Sequence, residues 1–154
     1  LSSPAFVERQ VVGVFDKKLL KIFAEGLKSL NIKFAWIVHS EDGLDEISPY
    51  AKTNVIQLKN EKITNLVIDP KEMNVNAENF DNILGADIQF NAKKIIDVFK
   101  GEDNDFSKAV CLNAAAGLIV SENQKNIVEA YSLARKHILS GNAYKHIKKL
   151  QINE

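Results

Sequence analysis

The strongest constraint on the fold is a strand, a helix and a second strand that follow one another at short spacing. Residues 11–15 (VVGVF) form a short β-rich run, and residues 34–39 (FAWIVH) form a second run that is almost continuously apolar. Between them, apolar residues recur at helical spacing over residues 17–30, directly after Asp16, a good helix N-cap. Strands joined in this way pair in parallel, and a continuously apolar strand is covered on both faces. The pattern predicts a βαβ unit within an α/β domain.

The rest of the chain predicts a β-hairpin followed only by helices. Strands are expected at residues 54–58 and 62–68, around the polar turn KNE, and helices at residues 78–84, 90–99, 107–120, 126–139 and 143–150. The helix at residues 107–120 is apolar on nearly every side, which predicts that it is buried. Two parallel strands and one hairpin make a small sheet for so many helices, so we expect further strands of the sheet to lie outside this chain.

Composition argues against several classes of partner. The 154 residues carry 20 Lys and Arg against 20 Asp and Glu, so no net charge draws the chain to nucleic acid or to an anionic membrane. No apolar run approaches the roughly 20 residues that a transmembrane helix needs. The single cysteine, Cys111, cannot form an intramolecular disulfide, which suits a reducing compartment. We expect a cytoplasmic protein without nucleic acid or membrane partners.

The loop after the second strand contains the best candidate for a metal site. Residues 38–48 (VHSEDGLDEIS) place Asp45 and Glu46 just beyond Gly43, at the carboxyl end of the strand, where ligands collect in parallel α/β sheets. Adjacent carboxylates suit Mg²⁺, which is typically held by one or two carboxylates together with substrate phosphates. The chain has three adjacent acidic pairs, about as many as its composition yields by chance. The position of this pair therefore distinguishes it, and a solvated surface loop is the alternative interpretation.

Other residues with reactive or polar side chains give weaker signals. His39 is a candidate proton carrier at the strand end, although a hydrogen-bonded structural histidine is more common. Cys111 lies in an apolar helix without a neighbouring His or a cluster of cations, so no reactive thiolate is expected. Asn113, in the same helix, is expected to hold a loop through backbone hydrogen bonds. The three histidines and the cysteine show no zinc-site spacing, and GxGxxG, P-loop, GxSxG and HExxH motifs are absent from the sequence.

Three segments together resemble a known enzyme family. Residues 10–16 (QVVGVFD), 38–48 and 112–116 (LNAAA), in this order and spacing, are similar to the C-terminal part of anthranilate phosphoribosyltransferases, with support from Asn91 and Ala92. The resemblance covers essentially the whole chain. It implies an α/β fold, the C-terminal portion of a nucleoside phosphorylase/phosphoribosyltransferase-like domain built from a parallel βαβ unit, a β-hairpin and several helices.

The resemblance also implies that part of the family's polypeptide lies outside this chain. Residues 1–5 (LSSPA) are similar to a step that lies in the middle of complete family members, and they include neither an initiator Met nor the start of a signal peptide. We therefore expect residues 1–154 to be the C-terminal part of the α/β domain. The N-terminal helical domain and the glycine-rich phosphoribosyl diphosphate loop are expected upstream of it.

A reaction and a metal site follow from the same resemblance. The family transfers the phosphoribosyl group from phosphoribosyl diphosphate to anthranilate, which gives N-(5-phosphoribosyl)anthranilate and diphosphate in tryptophan biosynthesis. Asp45 and Glu46 match the family's Mg²⁺ ligands, and no catalytic or substrate-binding residue is transferred besides them. The complete enzyme is expected to be a homodimer through its N-terminal helices, and this chain alone is expected to be inactive.

One departure from the family pattern and two alternatives remain. Ser40 occupies a position that is usually Gly in the family, and we expect its Cβ to restrict the loop. The first alternative is a related enzyme of the same fold, either a pyrimidine nucleoside phosphorylase or a phosphoribosyltransferase with another aromatic acceptor. The second alternative is a non-catalytic scaffold module. The acceptor-binding half, which is expected outside this chain, would distinguish the first alternative.

Overall fold

A computed structural model describes residues 7–150 of the chain, so the motif at residues 1–5 lies outside the described residues. The strands are β1 (Arg9–Gly13), β2 (Phe34–Ser40), β3 (Thr53–Lys59) and β4 (Lys62–Ile68). The helices are α1 (Leu19–Ser29), α2 (Ile88–Phe99), α3 (Asp105–Val120), α4 (Ile127–Leu139) and α5 (Asn142–Leu150). Two short 3₁₀ helices lie between β4 and α2, at Pro70–Met73 and Phe80–Ile83.

The four strands form one mixed sheet in the order β1-β2-β3-β4. β1 and β2 are parallel and are joined through α1, which confirms the predicted βαβ unit. β3 is antiparallel to both β2 and β4, so the predicted hairpin is also confirmed. Its turn residues Asn60 and Glu61 both have positive φ, 48° and 66°, the backbone that two-residue hairpins use to match the twist of their strands.

Helices cover both faces of the sheet. Along β2, Trp36 and Val38 pack into the core shared with α3 and α4, while Ala35 and Ile37 pack into the core shared with α1. Every residue of β2 except His39 is buried. The almost continuous apolar run therefore reflects a strand with helices on both sides, as the sequence predicted.

α3 is the buried helix of the larger core. Its small buried residues Ala115 and Ala116 share this core with Ala130 and Ala134 of α4. The helix begins at a capping box in which the Asn104 side chain accepts a hydrogen bond from the backbone N–H of Ser107 and the Ser107 hydroxyl accepts one from Asn104. The prediction of a buried helix here is confirmed, with a start two residues earlier than expected. Within the described residues, no helix is long and apolar enough to cross a membrane.

The start of the chain differs from the sequence prediction in detail. β1 ends at Gly13 rather than at Phe15, whose side chain is 79% exposed, because regular pairing with β2 stops there. α1 begins at Leu19 rather than directly after Asp16. The Asp16 carboxylate instead accepts a hydrogen bond from the backbone N–H of Lys18, which makes a turn between strand and helix.

The helix predicted at residues 78–84 is only the short 3₁₀ helix Phe80–Ile83. The Asn79 side chain caps this turn by accepting a hydrogen bond from the backbone N–H of Asp81. The backbone N–H of Glu78 and the side chain of Asn82 donate to Asp105 of α3. These contacts across the chain replace the hydrogen bonds that a longer helix would make.

Candidate functional site

The acidic loop predicted from the sequence lies between β2 and β3, at the carboxyl end of β2 and beside the end of β1. Asp45 and Glu46 are both exposed. Within residues 7–150, no ion pair engages either carboxylate. The loop therefore presents two neighbouring carboxylates to solvent at the carboxyl ends of the strands, where ligands bind in α/β folds.

The end of β1 holds the backbone of this loop through a position that only glycine can occupy. A Cβ added to Gly13 would lie 1.7 Å from the carbonyl oxygen of Asp45 and 2.7 Å from its carbonyl carbon. Both are backbone atoms, which cannot turn aside as the end of a flexible side chain can. The missing side chain of Gly13 thus lets the loop cross β1 in direct contact.

A tight turn closes the first half of the loop. The backbone N–H of Gly43 donates to the Ser40 carbonyl oxygen at 3.0 Å, and the N–H of Ser40 donates to the Leu44 carbonyl oxygen at 2.9 Å. Gly43 has a φ of 94°, which confirms that the turn uses its conformational freedom. Ser40 is fully buried, and its hydroxyl donates to the Lys52 carbonyl oxygen at 3.3 Å. The Cβ of Ser40 is therefore accommodated, and its hydroxyl helps to join the two ends of the loop.

Ser48 organises the second half of the loop. Its buried hydroxyl donates to the Asp42 carboxylate and accepts hydrogen bonds from the backbone N–H groups of Tyr50 and Ala51. The Ser48 N–H in turn donates to the hydroxyl of Thr53, the first residue of β3, at 3.2 Å. Asp42 is therefore used inside the loop, unlike Asp45 and Glu46.

Asn113 of α3 holds the residue that directly follows the acidic pair. Its Oδ1 accepts from the backbone N–H of Ile47 at 2.9 Å, and its Nδ2 donates to the Ile47 carbonyl oxygen at 3.1 Å. The side chain of Ile47 is fully buried in the core that α3 shares with the sheet. The prediction that Asn113 holds a loop by backbone hydrogen bonds is confirmed.

Asp105, at the start of α3, forms a second polar centre that the sequence did not indicate. The carboxylate is 5% exposed and accepts four hydrogen bonds. The donors are Tyr50 Oη at 3.1 Å, the Glu78 N–H at 3.1 Å, Asn82 Nδ2 at 2.9 Å and Lys108 Nζ at 2.8 Å. Burial raises the pKa of Asp105, but the hydrogen bonds from Lys108, Asn82 and Glu78 outweigh it and hold the pKa well below its usual range.

The Asp105 centre anchors the far end of the acidic loop. The Tyr50 hydroxyl lies 2.7 Å from the carbonyl oxygen of Asn79 and 3.1 Å from Asp105, so one proton serves two acceptors. Burial and the neighbouring Asp105 charge raise the pKa of Tyr50. Its ring packs against Phe80 with ring centroids 5.7 Å apart. The capping box at residues 104–107 was the available sequence signal, since it places Asp105 at the first position of α3.

His39 and Cys111, the candidates with weaker sequence signals, have surroundings that indicate a structural role. His39 Nδ1 lies 2.8 Å from the carbonyl oxygen of Val14, and since a carbonyl only accepts, Nδ1 carries the proton. This bond links β2 to the residue after β1. Cys111 is buried, and burial raises the pKa of its thiol to about 11, so the thiolate is disfavoured at neutral pH.

The donor atoms of the loop are of the kind that suits a Mg²⁺ ion which also binds phosphates. Among the described residues, no group of three or more His, Cys, Asp and Glu side chains is arranged to hold a metal by itself. Asp45 and Glu46 supply oxygen donors on an anchored backbone, and both remain accessible. Mg²⁺ keeps several waters and commonly binds one or two carboxylates plus substrate phosphates, so a two-carboxylate loop suits it better than a metal that needs a complete protein cage.

Comparison with a family model identifies the group to which this chain belongs. Residues 1–144 match the model described as glycosyl transferase family, a/b domain. The chain belongs to this family.

Within the glycosyl transferase family, curated relatives share most of this chain. It is 67% identical over 151 residues to the anthranilate phosphoribosyltransferase of Pelagibacter ubique, covering 98% of this chain and 46% of the relative. It is 37% identical over 150 residues to the enzyme of that name from Rhodopseudomonas palustris, covering 97% of this chain and 44% of the relative. The chain thus spans less than half the length of these relatives.

Solved structures of anthranilate phosphoribosyltransferases share the fold of this chain. The anthranilate phosphoribosyltransferase of Thermus thermophilus superposes with a TM-score of 0.80 at 27% identity, covering 89% of this chain and 40% of the other. The Saccharomyces cerevisiae enzyme, in complex with PRPP and Mg, superposes with a TM-score of 0.78 at 23% identity, covering 91% of this chain and 41% of the other. The predicted α/β fold class is confirmed.

The contact at Gly13 predicts a strong and local effect of a single methyl group. Gly13→Ala should lower the free energy of unfolding by about 3 kcal/mol, because strand or loop backbone must move to relieve the clash. Urea unfolding of the chain measures this loss. Gly117→Ala is the matched control, since nothing lies within 4 Å of the added Cβ in helix α3, and it should stabilise the chain by roughly 0.5 kcal/mol. Equal effects of both substitutions would contradict the contact.

The lowered pKa of Asp105 predicts a dependence of stability on pH. Because the folded-state pKa lies below the unfolded value, the stabilisation is present above about pH 4 and is lost as the pH falls toward the folded-state pKa. Asp105→Asn should lower the free energy of unfolding by about 2 kcal/mol at pH 7. The difference from the wild type should shrink below about pH 4.

Urea unfolding at several pH values measures both effects of Asp105→Asn. Asp81→Asn is the control, because it removes an exposed carboxylate from the segment that packs on Asp105. The control should follow the wild-type curve. A difference for Asp105→Asn that stays constant from pH 7 to below pH 4 would show that its charge does not contribute.

Proposed function

We propose that this chain is the C-terminal part of an anthranilate phosphoribosyltransferase, and that Asp45 and Glu46 bind the Mg²⁺ of its phosphoribosyl diphosphate. One observation carries the proposal. Gly13 contacts the backbone carbonyl of Asp45, and the Asn113 side chain bonds to the backbone of Ile47, yet the side chains of Asp45 and Glu46 are exposed. A loop whose backbone is held at Asp45 and at Ile47 while its two carboxylates stay exposed is suited to a ligand that brings its own phosphates.

The proposed reaction displaces diphosphate from the ribose carbon by the amino group of anthranilate. Negative charge then builds on the departing diphosphate, and a bound Mg²⁺ would stabilise that charge. The task of this chain is to hold the Asp45 and Glu46 carboxylates where the metal–diphosphate arrives, at the carboxyl end of β2. Because the loop is already fixed by backbone contacts, little reorganisation is needed when the substrate binds.

The identity to curated relatives supports the substrate assignment, and the short match limits what this chain does alone. The chain covers less than half of each of these relatives, so we propose that the remaining polypeptide supplies the anthranilate and phosphoribosyl contacts. By the family resemblance, the complete enzyme is a homodimer through its N-terminal helices. We further propose a cytoplasmic location, which suits a chain whose single cysteine is a free, buried thiol.

A chimera tests this proposal directly. This chain would replace the matching segment of the Pelagibacter ubique relative, with which it shares 67% identity. The chimera should consume anthranilate when phosphoribosyl diphosphate and Mg²⁺ are present, followed by the loss of anthranilate fluorescence. A folded chimera without turnover would contradict the proposed function.

In the active chimera, Asp45→Asn combined with Glu46→Gln should raise the half-activating Mg²⁺ concentration and lower the turnover rate at least about tenfold. The reason is that the amide side chains keep the size of the carboxylates and lose their charge. Glu41→Gln is the matched control, since it removes one exposed carboxylate from the same loop and lies outside the proposed site. An unchanged Mg²⁺ titration in the double variant would remove the metal assignment.

A further inference from the structure

The carboxamide of Asn113 bonds both to the loop and to its own helix. Oδ1 accepts from the Ile47 N–H, while Nδ2 donates to the carbonyl oxygens of Ile47 at 3.1 Å and Ala109 at 3.0 Å. The pattern needs one acceptor and two donors on the same side chain, and an amide provides both. Asp would lose both donors, and Ser or Thr has one proton for two acceptors. The geometry therefore requires an amide.

The two hydrogen bonds to Ile47 fix more than one backbone group. A side chain that bonds both the N–H and the C=O of one residue sets the direction of the backbone there, as a neighbouring strand would. The N–H of Ile47 belongs to the same peptide unit as the carbonyl of Glu46. Fixing that peptide plane therefore restricts ψ of Glu46, which is the residue that carries the second proposed ligand.

The anchoring at Ile47 has a counterpart on the other side of Glu46, at Asp45. The Asp45 carbonyl packs against the bare backbone of Gly13, and the Ile47 side chain is fully buried. Together with Asn113, these contacts hold the backbone before and after Glu46. The side chains of Asp45 and Glu46 are then the free part of an otherwise fixed segment.

We propose that Asn113 is a positioning residue for the reaction, which sets the separation and direction of the Asp45 and Glu46 carboxylates through the backbone of Ile47. This inference rests on the proposed function, because it concerns the affinity of that site for Mg²⁺. Asn113 bonds to Ile47, the residue that directly follows the proposed ligands, and it is not itself one of those ligands. Its effect is on how well two carboxylates are placed before the metal–diphosphate binds.

Asn91 provides a matched control for the loss of such a clamp. In α2, its Oδ1 accepts from the Ala86 N–H at 2.9 Å and its Nδ2 donates to the Ala86 carbonyl oxygen at 3.1 Å. The same two-way pairing thus occurs at a loop that makes no hydrogen bond to Asp45, Glu46 or Ile47 within the described residues. A general loss of rigidity and a specific loss of positioning can therefore be separated.

The experiment compares Asn113→Ala, Asn113→Asp and Asn91→Ala in the active chimera, with two measurements. The first is the half-activating Mg²⁺ concentration, which does not depend on how much of the enzyme is folded. The second, made without metal, is hydrogen–deuterium exchange in peptides that span residues 45–48. Both Asn113 variants should raise the half-activating concentration about tenfold and speed exchange in these peptides about tenfold. Asn91→Ala should change neither quantity.

The outcomes distinguish the inference from the proposed function. If Asp45→Asn with Glu46→Gln shifts the Mg²⁺ titration and Asn113→Ala does not, the metal site stands and the positioning role is overturned. The same holds if Asn91→Ala shifts the titration as much as Asn113→Ala, since the effect would then be general. If the Asp45 and Glu46 variants shift nothing, the metal site itself is overturned and the positioning role with it.

Discussion

The site depends on a backbone contact that is possible only because one residue lacks a side chain. Where β1 ends, the carbonyl group of Asp45 occupies the space that a Cβ on Gly13 would fill. This contact brings the loop after β2 over the end of the neighbouring parallel strand. The acidic pair thereby lies between the ends of two parallel strands, and the parallel pairing of β1 with β2 is what brings those ends together.

Helix α3 supplies the other half of the support, although it follows the loop by more than fifty residues. Its first residue, Asp105, bonds to Tyr50 near the end of the loop, and Asn113, two turns later, bonds to Ile47 in the middle. Asp105 is buried and Asn113 is half-buried on a helix whose other buried residues are apolar or small, so both polar groups need partners inside the protein. The loop provides those partners, and the same bonds that satisfy α3 hold the loop.

The sequence predicted the parts of this arrangement that depend on local periodicity. The continuous apolar runs of β2 and of helix α3 indicate burial, and the polar turn KNE between two strands indicates the hairpin. Asn113 was notable because it interrupts the apolar run of α3. The contact between Gly13 and the Asp45 carbonyl and the hydrogen bonds around Asp105 were not predictable in this way. Both join residues that are tens of positions apart, and neither a glycine nor a single aspartate carries a periodic signal that names its partner. The end of β1 was misplaced because Phe15 is apolar but exposed.

The most direct test of the central claim is the position of the metal itself. Crystals of the active chimera grown with phosphoribosyl diphosphate and Mn²⁺ in place of Mg²⁺ would locate the ion by its anomalous scattering. The account predicts an ion between the diphosphate and the Asp45–Glu46 loop, bonded to at least one of the two carboxylates at about 2.1 Å or through a single water. An ion bound to the diphosphate while both carboxylates remain in bulk solvent would contradict it.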